Sequence, residues 1–422
     1  MLSKGEGKMK EIFTSNYKEM SLSIVSSEIK AIRRNNITYT GCRLYKDGII
    51  GVAGSIGNID INELFAKAER KLKFQIDYPV EPTKNVENHY KNESCKITDK
   101  KFYNEIEKII KEIVHLHPDF VISNKACLIE TYKRLKNEAG MNLSHFDRYI
   151  NIEIYLKQKG SPDVVNMEFL INTRELESDK IIKAASELIS AYTNILPFPK
   201  EPLPLILRDN IYPNPILSVF QRNLNAEAVG TGTSLFQNQF GKKVFSKDSS
   251  LKLRKINPEE NFTPVFDMEG IVTPEKLSYL IKNGVILRPY SDKRTSIRYG
   301  YENTGCAEGS CSSVPCLYMG RGTNSEIEKG NKTIKELLNG QMGILLSIVS
   351  GGDYTPDGNY ATPVQLAYLT DGEKLLGRLP NFTIKSNVYD IFGKDFIGMS
   401  SDRLYTNSNR RMLVTKMNIE PL

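Results

Sequence analysis

Asn225-Ala226-Glu227-Ala228-Val229-Gly230-Thr231-Gly232 is the stretch of this sequence with the clearest chemical pattern. In a zinc hydrolase helix, paired histidines hold the metal, and an adjacent carboxylate takes a proton from the metal-bound water. A His-Glu-x-x-x-His form of that pattern would put imidazoles at 226 and 231. Ala226 and Thr231 stand there instead, and Glu227 alone is kept. Acting as a general base, Glu227 would need a metal-bound water or another activated nucleophile. Without one it reads as a relic, a capping, paired or solvated carboxylate on a structural helix.

Three cysteines, Cys306, Cys311 and Cys316, recur every five residues. Thiolates are good zinc ligands, and with a carboxylate they could rebuild a site. A step of five lines neither one face of a helix nor one face of a strand, so only a loop would bring them together. Reduced thiols with no shared role are the simpler reading. Asp267 and Glu269, two apart, would share a strand face as an acid/base pair, but Gly270 follows at once and favours a turn with a structural role. Gly351-Gly352 and Gly230-x-Gly232 complete neither a Walker nor a dinucleotide fingerprint. The four histidines, His89, His115, His117 and His145, all lie in the first half. A site built from the second half alone therefore works without imidazole.

The 422 residues leave room for two domains, and 40% hydrophobic with 25% charged residues describes a globular chain. The net charge of +7 comes from interspersed charges, so a nucleic-acid partner is not expected. The apolar run at Ile344-Leu345-Leu346 is far too short to span a membrane, and Met1 to Glu6 lack the apolar core of a leader. A cytoplasmic location with reduced cysteines is the expectation.

The elements that must position these residues follow from periodicity. Ser21 to Ile29 and Ile37 to Ala53 are predicted strands, the second turning at Asp47-Gly48. A helix is predicted from the Asp60 cap, with Leu64, Phe65, Ala68 and Leu72 on its apolar face. Another follows Asp99, carrying Ile106, Ile109, Ile110 and Ile113. Strands are expected at Phe120 to Tyr132, Tyr149 to Leu156 and Val164 to Asn172, with a turn at Asn137 to Gly140. A third helix is expected from Ser178. The prolines of Leu196 to Pro204 cannot continue a helix. The predicted division is therefore a first domain over 1–196, a linker over 197–214 and a second domain over 215–422.

In the second half one helix is predicted from Pro215 to Val229. Short strands are expected at Val244 to Ser246, Val285 to Leu287, Met342 to Val349, Gln365 to Leu369 and Arg411 to Val414, with a short helix at Lys332 to Leu338. The fold class is α+β. It comprises a largely antiparallel sheet with helices, then a mainly β, barrel-like unit whose helix carries the degenerate motif.

An ordered series of second-half segments resembles the TldD/PmbA family of peptidases. Ala226 to Gly232 resembles its His-Glu-Ala-Val-Gly-His-Gly. Phe240 to Val244 resembles its Gly-Lys-x-Val turn, and Asp267-Met268-Glu269-Gly270 its Asp-Asp-Glu-Gly. Asn283 to Ile286 with Asp292 resembles its Asn-Gly-Val-Leu segment, and Arg321-Gly322-Thr323-Asn324 its Arg-x-Thr-Asn strand. Lys335 to Val349 resembles the helix and strand that follow.

The resemblance implies a two-domain protomer that dimerises. In the family's catalytic branch, two histidines and a downstream cysteine hold a zinc that cleaves extended or unfolded peptides. The PmbA-like branch lacks the histidines and serves as partner subunit. This chain departs from the catalytic branch at every ligand, since no cysteine follows Cys316. Ser350 to Gly358 and Lys385-Ser386-Asn387 also follow the family's loops only loosely.

The expectation is a metal-free subunit, without cofactor, that binds extended peptide and pairs with a catalytic TldD-like homologue or with itself. Its candidate groove is formed by Asp267, Glu269, Gly270, Cys306, Cys311, Cys316, Arg321, Thr323 and Asn324. The alternatives are an active metallopeptidase rebuilt around Glu227 and the three cysteines, and a non-enzymatic binding or regulatory protein.

Overall fold

The computed structural model describes residues 7–208, 217–253, 262–317, 325–404 and 411–422. Its first half runs β1 (Met9–Val25), β2 (Glu28–Lys46), β3 (Ile49–Ile56), α1 (Ile61–Lys71), β4 (Glu87–Asn92), α2 (Asp99–Leu116), β5 (Phe120–Asn137), β6 (Asn142–Gln158), β7 (Met167–Thr173) and α3 (Ser178–Thr193). These seven strands make one sheet in the order β3-β2-β1-β5-β6-β4, with β7 also on β6. All its pairings are antiparallel except that of β4 with β6.

Asp47 and Gly48 both take positive φ in the β2–β3 turn, as an Asp-Gly hairpin requires. The β1–β2 turn falls at Ser26-Ser27, inside a stretch expected to be continuous strand. Both serines adopt positive φ, and no glycine or asparagine advertises the turn. Asp60 caps α1 by accepting the Asn62 N–H at 2.9 Å, and Thr98 caps α2 through Lys101 N at 3.3 Å.

Burial changes face along the long strands. Near one end, Leu22 and Ile24 of β1, Ala126 and Leu128 of β5, and Ile150, Ile152 and Ile154 of β6 are buried in one core with α2 and α3. Cross-strand register places these residues on one face, since Leu22 pairs with Ala126 and Ala126 with Ile152. Near the other end, Glu11, Phe13, Leu135, Leu143, His145 and Asp147 are buried on the opposite face. Phe13, Leu135 and Leu143 pack there with Phe266, and Met268 and Cys311 lie against them. The second half thus seats on the face the helices leave open, and polar residues of the sheet become buried there.

The second half begins with β8 (Leu205–Arg208), α4 (Ser218–Asn223), α5 (Ala226–Gly230), β9 (Leu251–Leu253), β10 (Tyr279–Lys282), β11 (Val285–Ile286), α6 (Lys293–Tyr299) and β12 (Ser325–Ile327). It continues with α7 (Ile334–Leu338), β13 (Gly343–Val349), β14 (Asn359–Thr370), β15 (Leu375–Arg378), β16 (Phe382–Asn387), α8 (Val388–Ile391), β17 (Phe396–Met399), β18 (Met412–Thr415) and β19 (Asn418–Pro421). A four-stranded sheet runs β11-β10-β9-β12, and an eight-stranded one runs β17-β18-β8-β13-β14-β16-β19 with β15 on β14.

The expected barrel is not closed among the described residues, because the larger sheet ends at free edges on β17 and β19. Two predicted elements also differ. Val244 to Ser246 is loop, held by the Val244 and Phe245 N–H groups on Gly284 O. The motif helix is broken at Leu224-Asn225, and its predicted start at Pro215 lies outside the described residues. Ile206, Leu345, Tyr368 and Val414 of the eight-stranded sheet belong to the same core as α2 and α3. Among the described residues, no helix is long and apolar enough to cross a membrane.

Candidate functional site

Asn225 breaks the motif helix by adopting extended backbone (φ −70°, ψ 125°) and capping α5, its side chain accepting the Glu227 N–H at 2.9 Å. Its amide also donates to the Tyr290 hydroxyl at 3.0 Å, which itself donates to Gln221 O at 2.6 Å. Ala226 donates its N–H to Tyr290 O and is fully buried. A five-residue helix is thereby fixed against α4 on one side and, through an isolated bridge of Asn225 with Tyr290, against the segment after β11 on the other.

Glu227 points away from this core. Its side chain is 43% exposed, and Oε1 accepts from the Tyr299 hydroxyl at 2.9 Å and Arg298 Nη1 at 3.3 Å. The Tyr299 ring lies where a side chain on Gly230 would be, so α6 closes directly onto α5. Thr231 is exposed, and its hydroxyl donates to Glu227 O at 2.8 Å within its own turn. The three motif positions therefore diverge: a buried methyl, a carboxylate held by Tyr299 and Arg298, and a hydroxyl turned back onto the helix.

Asp267, Glu269 and Gly270 lie at the joint between the two halves. Asp267 and Glu269 are each 3% exposed, and the Cβ position of Gly270 (φ +74°) is occupied by Met141. Asp267 Oδ1 accepts the N–H groups of Glu269 (2.9 Å) and Ile271 (2.8 Å), and Oδ2 that of Ala307 (2.9 Å). Their side chains face the interior rather than a surface groove.

The cysteines do not converge as a set. Cys306 is buried in the second-half core, whereas Cys311 packs against Phe13, Leu135 and Met141 at the joint. Burial raises the thiol pKa of Cys311 and Cys316, keeping both protonated at neutral pH. Among the described residues no three His, Cys, Asp or Glu side chains come together to hold a metal ion. Arg321, Thr323 and Asn324 lie outside the described residues.

Helix α6 connects the two groups of predicted residues. Tyr299 at its end holds Glu227, and Lys293 at its start donates its backbone N–H to Glu269 Oε2 at 2.8 Å. The six steps from Lys293 to Tyr299 put the two residues about 9 Å apart along the helix axis. Asp292 and Thr295 form a capping box at its start, a signal readable in Asp-x-x-Thr although the helix was not predicted.

A cleft of about 750 Å³ was also missed. It is lined by Asp353, Tyr360, Ser386, Asn387, Lys394 and Lys416, among others. It abuts the motif segment through Asp353, which pairs with Arg222 of α4 at 2.6 Å. That guanidinium holds the Asp353 carboxyl below the usual range. The loosely matching loops at 350–358 and 385–387 were the signal for it.

Residues 200–420 match the family described as PmbA/TldA metallopeptidase C-terminal domain. The chain belongs to the TldD/PmbA family. A metalloprotease TldD homolog of Buchnera aphidicola is 30% identical over 176 residues, 41% of this chain and 35% of that protein. The match thus spans about a third of that relative's length. TldE from Thermococcus kodakarensis superposes with a TM-score of 0.78 at 20% identity, covering 98% of this chain and 96% of that one. A candidate modulator of a DNA gyrase from Thermotoga maritima superposes with a TM-score of 0.77 at 17% identity, over 98% and 96% of the two chains. Both structures share the mixed α+β fold.

The residues present do not fit the zinc that the family's catalytic pattern implies. The Ala226 methyl has no lone pair to offer, the Thr231 hydroxyl is committed to Glu227 O, and no cysteine follows Cys316.

Proposed function

We propose that this TldD/PmbA-family chain is a metal-free, non-catalytic subunit. It binds extended or unfolded peptide and pairs with a catalytic homologue that supplies the zinc for peptide cleavage or maturation. The observation that carries this reading is the fate of the two ligand positions. Ala226 is fully buried and Thr231 is bonded to its own helix, while Glu227 is anchored by Tyr299 and Arg298 and belongs to no cluster of metal-ligating side chains among the described residues. Proton abstraction by a carboxylate requires a nucleophile held within hydrogen-bond reach, and these neighbours hold none. The fold is retained around the lost site, and a retained scaffold can serve binding without chemistry. Peptide addition along a free sheet edge is the mode we favour, because main-chain pairing accepts many sequences.

The test is reconstitution. The chain alone is assayed on an unfolded peptide, then mixed with a TldD-like homologue whose histidine pair is intact. No cleavage alone, together with more cleavage in the mixture than by the homologue by itself, is expected. Cleavage by the isolated chain that is abolished in Glu227→Ala would overturn the reading.

A further inference from the structure

Two clefts adjoin helix α8 and the turn that follows it, and Asp390 and Lys394 stand in the walls of both. One is the cleft of about 750 Å³ described above. The other, of about 410 Å³, is lined by Lys243, Lys247, Tyr389 and Gly393 among others. Local sequence sets these walls. Phe245 is 4% exposed and packs edge-on against Phe220, Phe236 and Phe392, while the Ser246 N–H bonds Phe392 O at 2.8 Å. That anchor draws loop 243–247 against the end of α8. Lys243 and Lys247, two residues to either side of Phe245, are left exposed. At the larger cleft, Thr415 donates its hydroxyl to Ile391 O at 2.9 Å and Asp395 O at 3.0 Å, and the Lys416 N–H reaches Asp395 O at 3.0 Å. Strand β18 thus ends against the same turn, and Lys416 follows it into the cleft wall.

The charges of the lining do not balance. Its five lysines are Lys243, Lys247, Lys385, Lys394 and Lys416, and its three carboxylates are Asp353, Asp390 and Asp395. Asp353 is paired with Arg222 at 2.6 Å and Asp390 with Lys394 at 3.0 Å, while Lys385 is paired with Glu420 at 2.5 Å. Among the described residues Lys243, Lys247 and Lys416 make no ion pair, and Asp395 is the lining carboxylate that makes none. Three uncompensated ammoniums therefore line two adjoining concavities. Low-dielectric walls focus such a field and favour a ligand of opposite sign. Asn418, also in the lining, adds a side-chain amide that can bond a peptide group. Tyr389 is the one part-exposed aromatic ring among the described lining residues, too few to stack successive bases.

We propose that the two clefts beside α8 form one docking site for an acidic extended peptide, whose carboxylates are met by Lys243, Lys247 and Lys416. The proposal rests on the reading of this chain as a peptide binder, and adds the class of peptide and the place where it docks. Main-chain pairing at a sheet edge accepts many sequences, whereas these lysines select among them by charge.

The experiment is fluorescence anisotropy with three labelled unfolded peptides of equal length, rich in Glu, Gln or Lys, and an oligothymidylate carrying the charge of the first. Each is titrated with the full chain and with the Lys243→Gln, Lys247→Gln, Lys416→Gln triple variant. The Glu-rich peptide should bind most tightly, and the triple variant should weaken it by roughly tenfold while leaving the Gln-rich peptide unchanged. Equal affinity for the Glu-rich and Gln-rich peptides, or a triple variant that binds like the wild type, would overturn the proposal. Oligothymidylate bound as tightly as the Glu-rich peptide would overturn its assignment to peptide. Binding of none of the peptides would sink the peptide-binding reading itself, and the proposal with it. Should the triple variant fail to fold, the wild type at about 50 mM and ~500 mM salt carries the test. Its preference for Glu over Gln should collapse at the higher salt, and a preference that survives would refute the site.

Discussion

Replacing Glu11 by Gln should damage the joint between the two halves. Arg43 Nη1 bonds Glu11 Oε1 at 2.9 Å, and the same nitrogen donates to Met268 O across the joint. Arg43 Nη2 is buried and finds no acceptor among the described residues. Two unit charges ~4 Å apart attract by about 4 kcal/mol at an effective dielectric of ~20, and removing one leaves the other unpaid in solvation terms. The expected loss for Glu11→Gln is therefore about 3–5 kcal/mol. Arg43→Met should cost less, about 1–3 kcal/mol, because Glu11 keeps the Tyr45 hydroxyl at 2.9 Å and Asn137 Nδ2 at 3.4 Å. Glu11→Gln combined with Arg43→Met removes both charges and should cost clearly less than the sum of the two single changes. The assay is urea unfolding by circular dichroism and tyrosine fluorescence, the sequence having 21 tyrosines and no tryptophan. A Glu11→Gln midpoint within about 1 kcal/mol of wild type, or additive single changes, would refute the argument.

Other changes probe other contacts. Gly41 and Gly54 face each other across β2 and β3, and Cβ atoms there would collide with Cys311 O and with Ser312 Cβ (2.7 Å). Gly41→Ala should lose about 1–3 kcal/mol in urea unfolding, with Gly7→Ala neutral as control; a wild-type midpoint would contradict the close approach. His145 is buried against Tyr90, with neither ring nitrogen bonded among the described residues, and burial first, then Lys133 and Arg174, hold its pKa at about 4. Its neutral ring favours the folded state above pH 6.5, and this contribution is lost as pH falls from 6.5 toward about 4, by up to tenfold in the unfolding constant per unit. His145→Phe should flatten that acid limb, and an unchanged limb would assign it to other groups. Glu227→Ala removes a part-exposed ion pair with Arg298 and the acceptor of the Tyr299 hydroxyl, and should stay within about 1 kcal/mol of wild type by thermal unfolding; a larger loss would give Glu227 a structural weight beyond these two surface contacts.

Much of the first half was legible in the sequence because its signals are local. The Asp47-Gly48 turn, the Asp60 cap and the isoleucine stripe of α2 each depend on residues a few positions apart. Ser26-Ser27 escaped because serine carries a tight turn without the usual glycine. The break before α5 was written in Asn225, but a continuous apolar pattern from Ile216 to Val229 masked the cap. The motif told which ligands were missing, whereas the direction of each side chain depended on Tyr290 and Tyr299, about 65 to 72 residues away. The joint was the least legible part. Buried His145 and Asp147 look misplaced in a strand until Tyr90 is seen stacked on the one and Arg174 paired with the other. The sequence places Asp267 and Glu269 in a candidate groove, and their burial was not readable because the Ala307 and Tyr78 groups that bond them lie 40 and 191 residues away.

The central claim is that the motif no longer holds a metal, and its most direct test is metal content per protomer. The protein is purified without a histidine tag or chelator, offered excess zinc, passed through a desalting column and analysed for transition metals. No stoichiometric zinc, iron, nickel or manganese is expected, and no gain in thermal stability when zinc is added. One tightly held metal per protomer, lost in Glu227→Ala or in a Cys306→Ser, Cys311→Ser, Cys316→Ser triple variant, would contradict it.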